Sequence, residues 1–370
     1  MLQAGVVTAL GTMSGTSLDG VDAAILETDG VHIHGFGPSD YRPYTTAEQA
    51  VLKAHLGRWQ DDDCTAAAQI IEEAHLAVMQ PFTRVDIAGF HGQTLAHDPG
   101  GRGTHQCGDG VRLAQALGYP VVWDFRSNDV ASGGQGAPLA PFYHFALAKW
   151  IKADAPVAFL NLGGVGNVTW VDPACDAPED PAALLAFDTG PANAPMNDLM
   201  RLRHGLDYDV DGARAAQGRA DPAIVAAFMA HSYFAQPAPK SLDRDAFDWL
   251  GKAVADLPDA DALATLAQAV VQSVVAGCAL CPIMPKQILV TGGGRANKTV
   301  MAGLANTLAC DVVPVEAVGL NGDMLEAQAF AFLAVRAVRG LPLSSPQTTG
   351  VPVPLTGGRL SASAKQPDII

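Results

Sequence analysis

Short apolar runs separated by glycine-rich polar turns set the rhythm of this chain. Val6–Leu10 leads into GTMSGTSLDG (11–20), and a second apolar run, Val21–Leu26, leaves it. Two such runs around a turn predict a β-hairpin. The layout returns at APVAFLNLGGVGNVTWVD (155–172). Val85–Phe90 and Pro120–Trp123 read as strands, Val111–Leu117 has helical spacing, and a helix is expected over roughly 142–152. QILVTGGGRANKTVMAGLANTL (287–308) reads as strand, glycine turn and helix, with Met301, Leu304 and Leu308 on one face. Helical periodicity also marks 221–233, 261–280 and 324–338. This alternation predicts an α/β fold. The two glycine hairpins each open a half of the chain, which predicts two related domains. The first is expected over 1–130, joined by a Pro/Ser/Thr/Gly-rich tail from about 345 to 370, and the second over 131–344.

Composition narrows the function classes. The 370 residues are 49% hydrophobic, enough for two buried cores. Lys and Arg number 23 against 38 Asp and Glu, a net charge of −15. That balance opposes a nucleic-acid partner and an anionic membrane surface. A phosphate ligand stays open, because backbone amides and a bound cation can hold one. The opening MLQAGVVTALG carries no signal-peptide pattern. Ala262–Cys281, broken by Thr265, Gln268, Gln272 and Ser273, reads as a buried helix. Scattered cysteines at 64, 107, 175, 278, 281 and 310 read as reduced thiols, so a cytoplasmic location is expected. The lone Cys278-x-x-Cys281 reads as helix packing, with no second pair or nearby His to complete a metal site. Oligomeric state stays open, a homodimer included.

The first hairpin has the make-up of an oxyanion site. Glycine-rich backbone points several N–H groups into one concavity. Hydroxyls at Ser14, Thr16 and Ser17 add neutral donors, and Asp19 can hold the cation that accompanies a polyphosphate. No Walker loop and no dinucleotide fingerprint is present, and a strand follows the turn instead of a helix. NLGGVGN (161–167) and GGGRAN (292–297) supply a second hairpin and a glycine turn at a helix start. In this order the three elements resemble the ATP site of actin, sugar kinases and heat-shock ATPases.

Candidate chemistry sits where apolar strands turn polar. LLAFDTGPANAPMNDLM (184–200) places Asp188 after a strand, fit for general-base work, with Asn193 and Asp198 nearby in sequence. FHGQT (90–94) offers His91 and Gln93 as sugar partners. WDFRSNDVASGGQGAP (123–138) adds Asp124, Arg126 and Asp129; Arg126 suits a substrate carboxylate or a neighbouring Asp equally. PKSLDR (239–244), with Lys240, reads as solvated surface. Asp207, Asp209 and Asp211 read as a solvated loop, lacking the Glu of a calcium loop.

Taken together, GTMSGTSLDGVD (11–22), HGQT (91–94), DFRSNDVASGGQGAPL (124–139), NLGGVGN, FDTGPAN (187–193) and GGGRAN resemble the anhydro-N-acetylmuramic acid kinase family. The resemblance implies two ribonuclease-H-like domains of the actin-like ATPase kind, with ATP and Mg²⁺ in an interdomain cleft. It implies that 1,6-anhydro-N-acetylmuramic acid becomes N-acetylmuramic acid 6-phosphate in cell-wall recycling. The ATP segment falls on Ser14, Gly15, Thr16, Ser17, Leu18, Asp19, Gly20, Val21 and Asp22, with Gly163, Gly164, Gly166, Asn167, Gly292, Gly293, Gly294 and Asn297 as further contacts. The catalytic acid falls on Asp188, and the metal near Asp19 or Asp188. His91, Gln93, Arg126, Asp129, Gln135 and Asn193 are the implied sugar contacts. Leu242 and Asp243 replace a usual Thr-Gly, and Leu325 a common Lys, while Glu326 remains.

Other readings are a sugar or carboxylate kinase of the same superfamily, a non-enzymatic nucleotide-switched binding protein, and a metal-dependent glycosidase. The first differs in its acceptor, the second shows no sugar-dependent turnover, and the third opens the ring without nucleotide.

Overall fold

The computed structural model describes residues 4–242 and 244–363. Asp243 and the tail beyond 363, both part of the sequence expectations, lie outside the described residues. The chain divides into two compact units, Met1–Trp150 with Asp323–Ile370, and Ile151–Gly322.

In the first unit β1 (Val7–Ser14), β2 (Gly20–Thr28) and β3 (Ile33–Pro43) form an antiparallel meander. Strand β4 (Ile87–Asp98) then runs parallel to β1, β5 (Gly103–Cys107) turns back on β4, and β6 (Val121–Trp123) runs parallel to β4. The short strand Arg359–Ser361 closes the far edge against β6. Period-2 alternation assigns the faces. Leu10, Ile25, Ala88 and Phe90 meet the helices Thr65–Met79 and Gly110–Leu117 in one core. Gly11 and Gly89, paired across β1 and β4, face the helix Leu325–Val338 instead. A Cβ at Gly11 would stand 1.8 Å from the Ala327 carbonyl oxygen, and one at Gly89 2.1 Å from that of Phe330. The two glycines let the helix backbone rest directly on the sheet.

The second unit repeats the order. Strands β7 (Val157–Leu162), β8 (Val165–Val171) and β9 (Leu184–Pro191) are antiparallel. Strands β10 (Gln287–Thr291) and β11 (Asp311–Pro314) add on in parallel beyond β7. Each unit therefore carries the same five-strand order, the ribonuclease-H-like arrangement, as the paired hairpins lead one to expect. Asp259–Cys278 is long and apolar enough by composition to cross a membrane, yet Leu263, Leu266, Val270, Val271 and Val274 lie in the core of this unit.

Four boundaries differ from the sequence reading. The division falls after Trp150 and after Gly322, not after 130 and 344. The helix Pro141–Trp150 packs on the first unit, where Trp150 meets Phe36 edge-on and Tyr143 donates to Gln328 Oε1 at 2.9 Å. Strands β4 and β9 continue through His91, Gln93 and Asp188, which are therefore strand residues and not strand-end residues.

Gly89→Ala is expected to destabilise the first unit by about 3 kcal/mol, the upper end of overpacking costs. Urea unfolding of the variant reads this as a lower midpoint at unchanged slope.

Candidate functional site

The turn between β1 and β2 sorts its polar residues by exposure. Thr16, Ser17 and Asp19 are exposed, while Ser14, Leu18, Gly20 and Val21 are buried. The Leu18 amide donates to the Gly15 carbonyl at 3.1 Å, and Leu18 itself sits at φ 57°. The Ser14 hydroxyl donates to Gln93 Oε1 and shares a hydrogen bond with Tyr44 Oη, while Gln93 Nε2 donates to the Gly15 carbonyl. Ser14 and Gln93 thus brace the turn from beneath. Ser17 Oγ and the Gly20 amide both donate to Asp19 Oδ1, at 2.8 and 3.0 Å, and fix that carboxylate at the surface. Half-buried Asp22 follows on β2. Burial, then Asp19, Glu326 and Asp323, push its carboxyl up to about 7.

A second cluster in this unit surrounds Arg126. Its Nε and Nη2 donate to His91 Nε2 at 3.1 and 3.0 Å, and Nη1 donates to the Gly136 carbonyl at 2.7 Å. His91 Nδ1 donates to the Gly92 carbonyl, so Nε2 is left as the acceptor that Arg126 requires. Burial, then the Arg126 charge, hold His91 well below the ordinary histidine value, so the ring is neutral. Burial lowers Arg126 to about 10, against the fields of Glu326 and Asp129, and it remains a cation. Among the described residues it forms no ion pair. Asp129, expected to touch a sugar, is 3% exposed and accepts from Gly136, Ser344 and Thr349. Gln135 is exposed. Of the expected sugar contacts in this unit, His91, Gln93 and Asp129 already spend their polar atoms internally.

In the second unit the two glycine turns come together. Gly292 backs onto Asn161, and Gly294 onto Leu162 and Asn193. The carbonyls of Gly163 and Gly164 accept from the amides of Asn193 and Ala192, at 2.8 and 2.9 Å. Asn193 Nδ2 donates to the Leu162 carbonyl, so this residue ties the turn to the helix Asn193–His204. Gly164 and Gly293 are exposed, while Gly166 is buried within β8. Asn297 caps the helix Lys298–Thr307 by accepting from Thr299 and Val300 and is nearly buried.

Strand register places a polar row beside these turns. Thr291 pairs with Asn161, Asn161 with Asn167, and Asn167 with Asp188. Directly paired residues share a face, so the row leads across four strands to the Asp188 carboxylate. Asp188 is half-buried. Loss of water pushes its carboxyl up to about 6, opposed by the Leu242 amide donating to Oδ2 at 2.8 Å. Its own amide donates to the Lys240 carbonyl, and its carbonyl accepts from Tyr233 Oη. Lys240 Nζ returns to the Tyr233 carbonyl at 2.9 Å and lies over its ring. The PKSL segment is therefore the seat of Asp188 and not detached surface. Tyr233 carried no signal in the sequence. Asp198 is exposed and pairs with Arg201. Asp209, read as solvated, is 7% exposed and accepts the amides of Arg214 and Ala215.

The anhydro-N-acetylmuramic acid kinase family model matches residues 7–361. A relative from Cereibacter sphaeroides bearing that name is 62% identical over 99% of this chain and 100% of its own. One from Roseobacter denitrificans is 58% identical over 96% of this chain and 95% of its own. The chain belongs to the anhydro-N-acetylmuramic acid kinase family. Among solved structures, a ROK-family glucokinase from Streptomyces griseus aligns at TM-score 0.45 and 13% identity, covering 88% of this chain and 99% of its own.

Kinases of this family use ATP, and a divalent cation is the usual companion of its phosphates. Among the described residues no three acids or histidines stand at metal-ligand spacing. Burial is the larger cause of the raised Asp22 carboxyl, and a cation beside Asp19 would relieve the part that comes from the neighbouring acids. Mg²⁺ needs only one or two carboxylates when phosphates and waters complete its shell. The residues present fit such an ion.

A carboxyl near 6 is largely ionised at neutral pH yet close enough to it to take a proton, the range that suits a general base. Carbon-13 NMR of the Asp188 carboxyl is expected to titrate with a midpoint near 6. A midpoint near 4, the solvated value, would remove the desolvation argument.

Proposed function

We propose that this chain, as an anhydro-N-acetylmuramic acid kinase, opens the anhydro bridge with water and phosphorylates O6 in one event. The products are N-acetylmuramic acid 6-phosphate and ADP, and the site of action is the cytoplasm. Asp188 is the observation that carries the reading. It is a strand-held, half-buried carboxylate with its pKa raised toward neutrality and one amide to orient it.

In this mechanism Asp188 takes a proton from water, and the water oxygen bonds to C1. The C1–O6 bond breaks, and O6 bonds to the γ-phosphorus as the bond to ADP breaks. Backbone amides of the 15–19 turn other than that of Leu18, and those of Gly163 and Gly164, hold phosphate oxygens. Among the described residues these two glycine amides donate no hydrogen bond within the chain. Asp19 is the residue that would hold Mg²⁺, which offsets charge on the phosphates when bound. Asp188 keeps the base role alone. Arg126 receives the carboxylate of the sugar's lactyl group. Its direct hydrogen-bond acceptors, His91 and Gly136, are neutral, and Glu326 and Asp129 act on it only through their fields, so an anion completes its shell.

Asp188→Asn is expected to lower kcat by roughly 10²-fold or more while ATP affinity is kept, the signature of a lost general base. In H₂¹⁸O the wild-type product should carry the label at C1 and the phosphate on O6; unlabelled product would refute water attack. Arg126→Lys is expected to raise the KM for the sugar roughly tenfold, because a point charge replaces a planar fork. An unchanged KM would remove Arg126 from substrate recognition.

A further inference from the structure

The segment after Leu341 has little regular structure, yet it holds some of the most buried hydroxyls in the first unit. Ser344 and Thr349 are each 1% exposed. Buried hydroxyls need partners, and both donate to one oxygen, Asp129 Oδ2, Thr349 at 2.7 Å. The turn that carries them is closed by its own bonds. The Ser345 amide donates to Thr348 Oγ1, and the Thr349 amide to the Ser345 carbonyl. Leu343 and Leu355 pair across its base. Two further bonds strap the segment to the 126–138 loop. The Gln135 amide donates to the Thr349 carbonyl, and Asn128 Nδ2 to that of Thr356, each at 2.7 Å.

The bonds continue in one direction. Asp129 Oδ1 accepts the Gly136 amide at 2.6 Å. The Gly136 carbonyl accepts Arg126 Nη1, and the rest of the Arg126 fork rests on His91. No covalent feature places Gly136, ten residues along a glycine-rich loop, against the guanidinium. Its position depends on Asp129, and that of Asp129 on the strap.

We propose that Ser344 and Thr349 are positioning residues for substrate recognition: through Asp129 and Gly136 the C-terminal strap fixes the plane of the Arg126 guanidinium. This rests on the reading of Arg126 as the receptor of the substrate carboxylate. A bidentate fork gains from a carboxylate only when its plane is held in advance. Loosening the strap therefore weakens sugar binding and leaves the chemistry at Asp188 and the nucleotide contacts alone.

The test is steady-state kinetics with 1,6-anhydro-N-acetylmuramic acid and Mg-ATP on Thr349→Val, Thr349→Ser, Ser344→Ala and Arg126→Lys, each checked for folding by circular dichroism. Thr349→Val is expected to raise the sugar KM roughly tenfold, the scale of one hydrogen bond to a buried charge. kcat and the KM for ATP should stay at wild-type values, and Thr349→Ser, which keeps the hydroxyl, should restore the sugar KM. Ser344→Ala should shift the sugar KM in the same direction and carries the test if Thr349→Val does not fold. If Arg126→Lys raises the sugar KM and folded strap variants do not, the strap proposal falls while the reading of Arg126 stands. If Arg126→Lys leaves it unchanged, both fall. A strap variant that lowers kcat or weakens ATP to the same degree also overturns the proposal, because that is a general loss of structure.

Discussion

The Leu242 amide donates one hydrogen bond to Asp188 Oδ2, and little water reaches the rest of the carboxylate. The balance of these two effects sets where this carboxyl titrates. Desolvation alone disfavours the anion, and several amide donors would drive the pKa far below neutrality. One amide leaves the group near 6, where a proposed general base is largely ionised at neutral pH and still able to take a proton. The balance needs a rigid seat. Asp188 therefore sits inside β9 and not at its end, with its amide on the Lys240 carbonyl and its carbonyl under the Tyr233 hydroxyl.

Each unit builds its glycine turn on the same sheet order but supports it differently. In the first, side chains do the bracing: Ser14, Gln93 and Tyr44 form a buried polar layer below an exposed Thr16, Ser17 and Asp19. In the second the backbone does it, with Gly163 and Gly164 carbonyls receiving the first amides of the next helix. Both solutions give the inward-facing polar groups partners within their own unit. The division of labour explains why the first turn is rich in hydroxyls and the second in glycine.

Much of this was legible in the sequence. Paired apolar runs around glycine turns betray two hairpins, and an acid closing an apolar run betrays Asp188. The motifs also named the right family. The direction in which each polar side chain is spent was not legible, because its partner lies far along the chain. Ser14 meets Gln93 79 residues away, and Asp129 meets Thr349 220 residues away. His91 and Gln93, read as sugar partners, and Asp129, implied as one by the resemblance, have buried polar atoms with partners inside the first unit. The reverse error fell on PKSL, which looked like solvated surface until strand β9 brought Asp188 under its amide. Domain boundaries slipped for a related reason. The helices Pro141–Trp150 and Leu325–Val338 are set by what they cover, and nothing local in their sequence says which sheet that is.

The solitude of Asp188 bears on the order of events. A glycosidase needs two carboxyl groups, one to activate water or attack and one to protonate the leaving oxygen. Among the described residues the field at Asp188 has two causes, loss of water and the Leu242 amide. In the proposed mechanism Asp188 acts alone, and cleavage by water alone would then expel a poor leaving group. Transfer of O6 to phosphorus removes that difficulty, since the oxygen leaves carbon by bonding to an electrophile and not to a proton. A single base is then sufficient, and ring opening is coupled to ATP by chemical need.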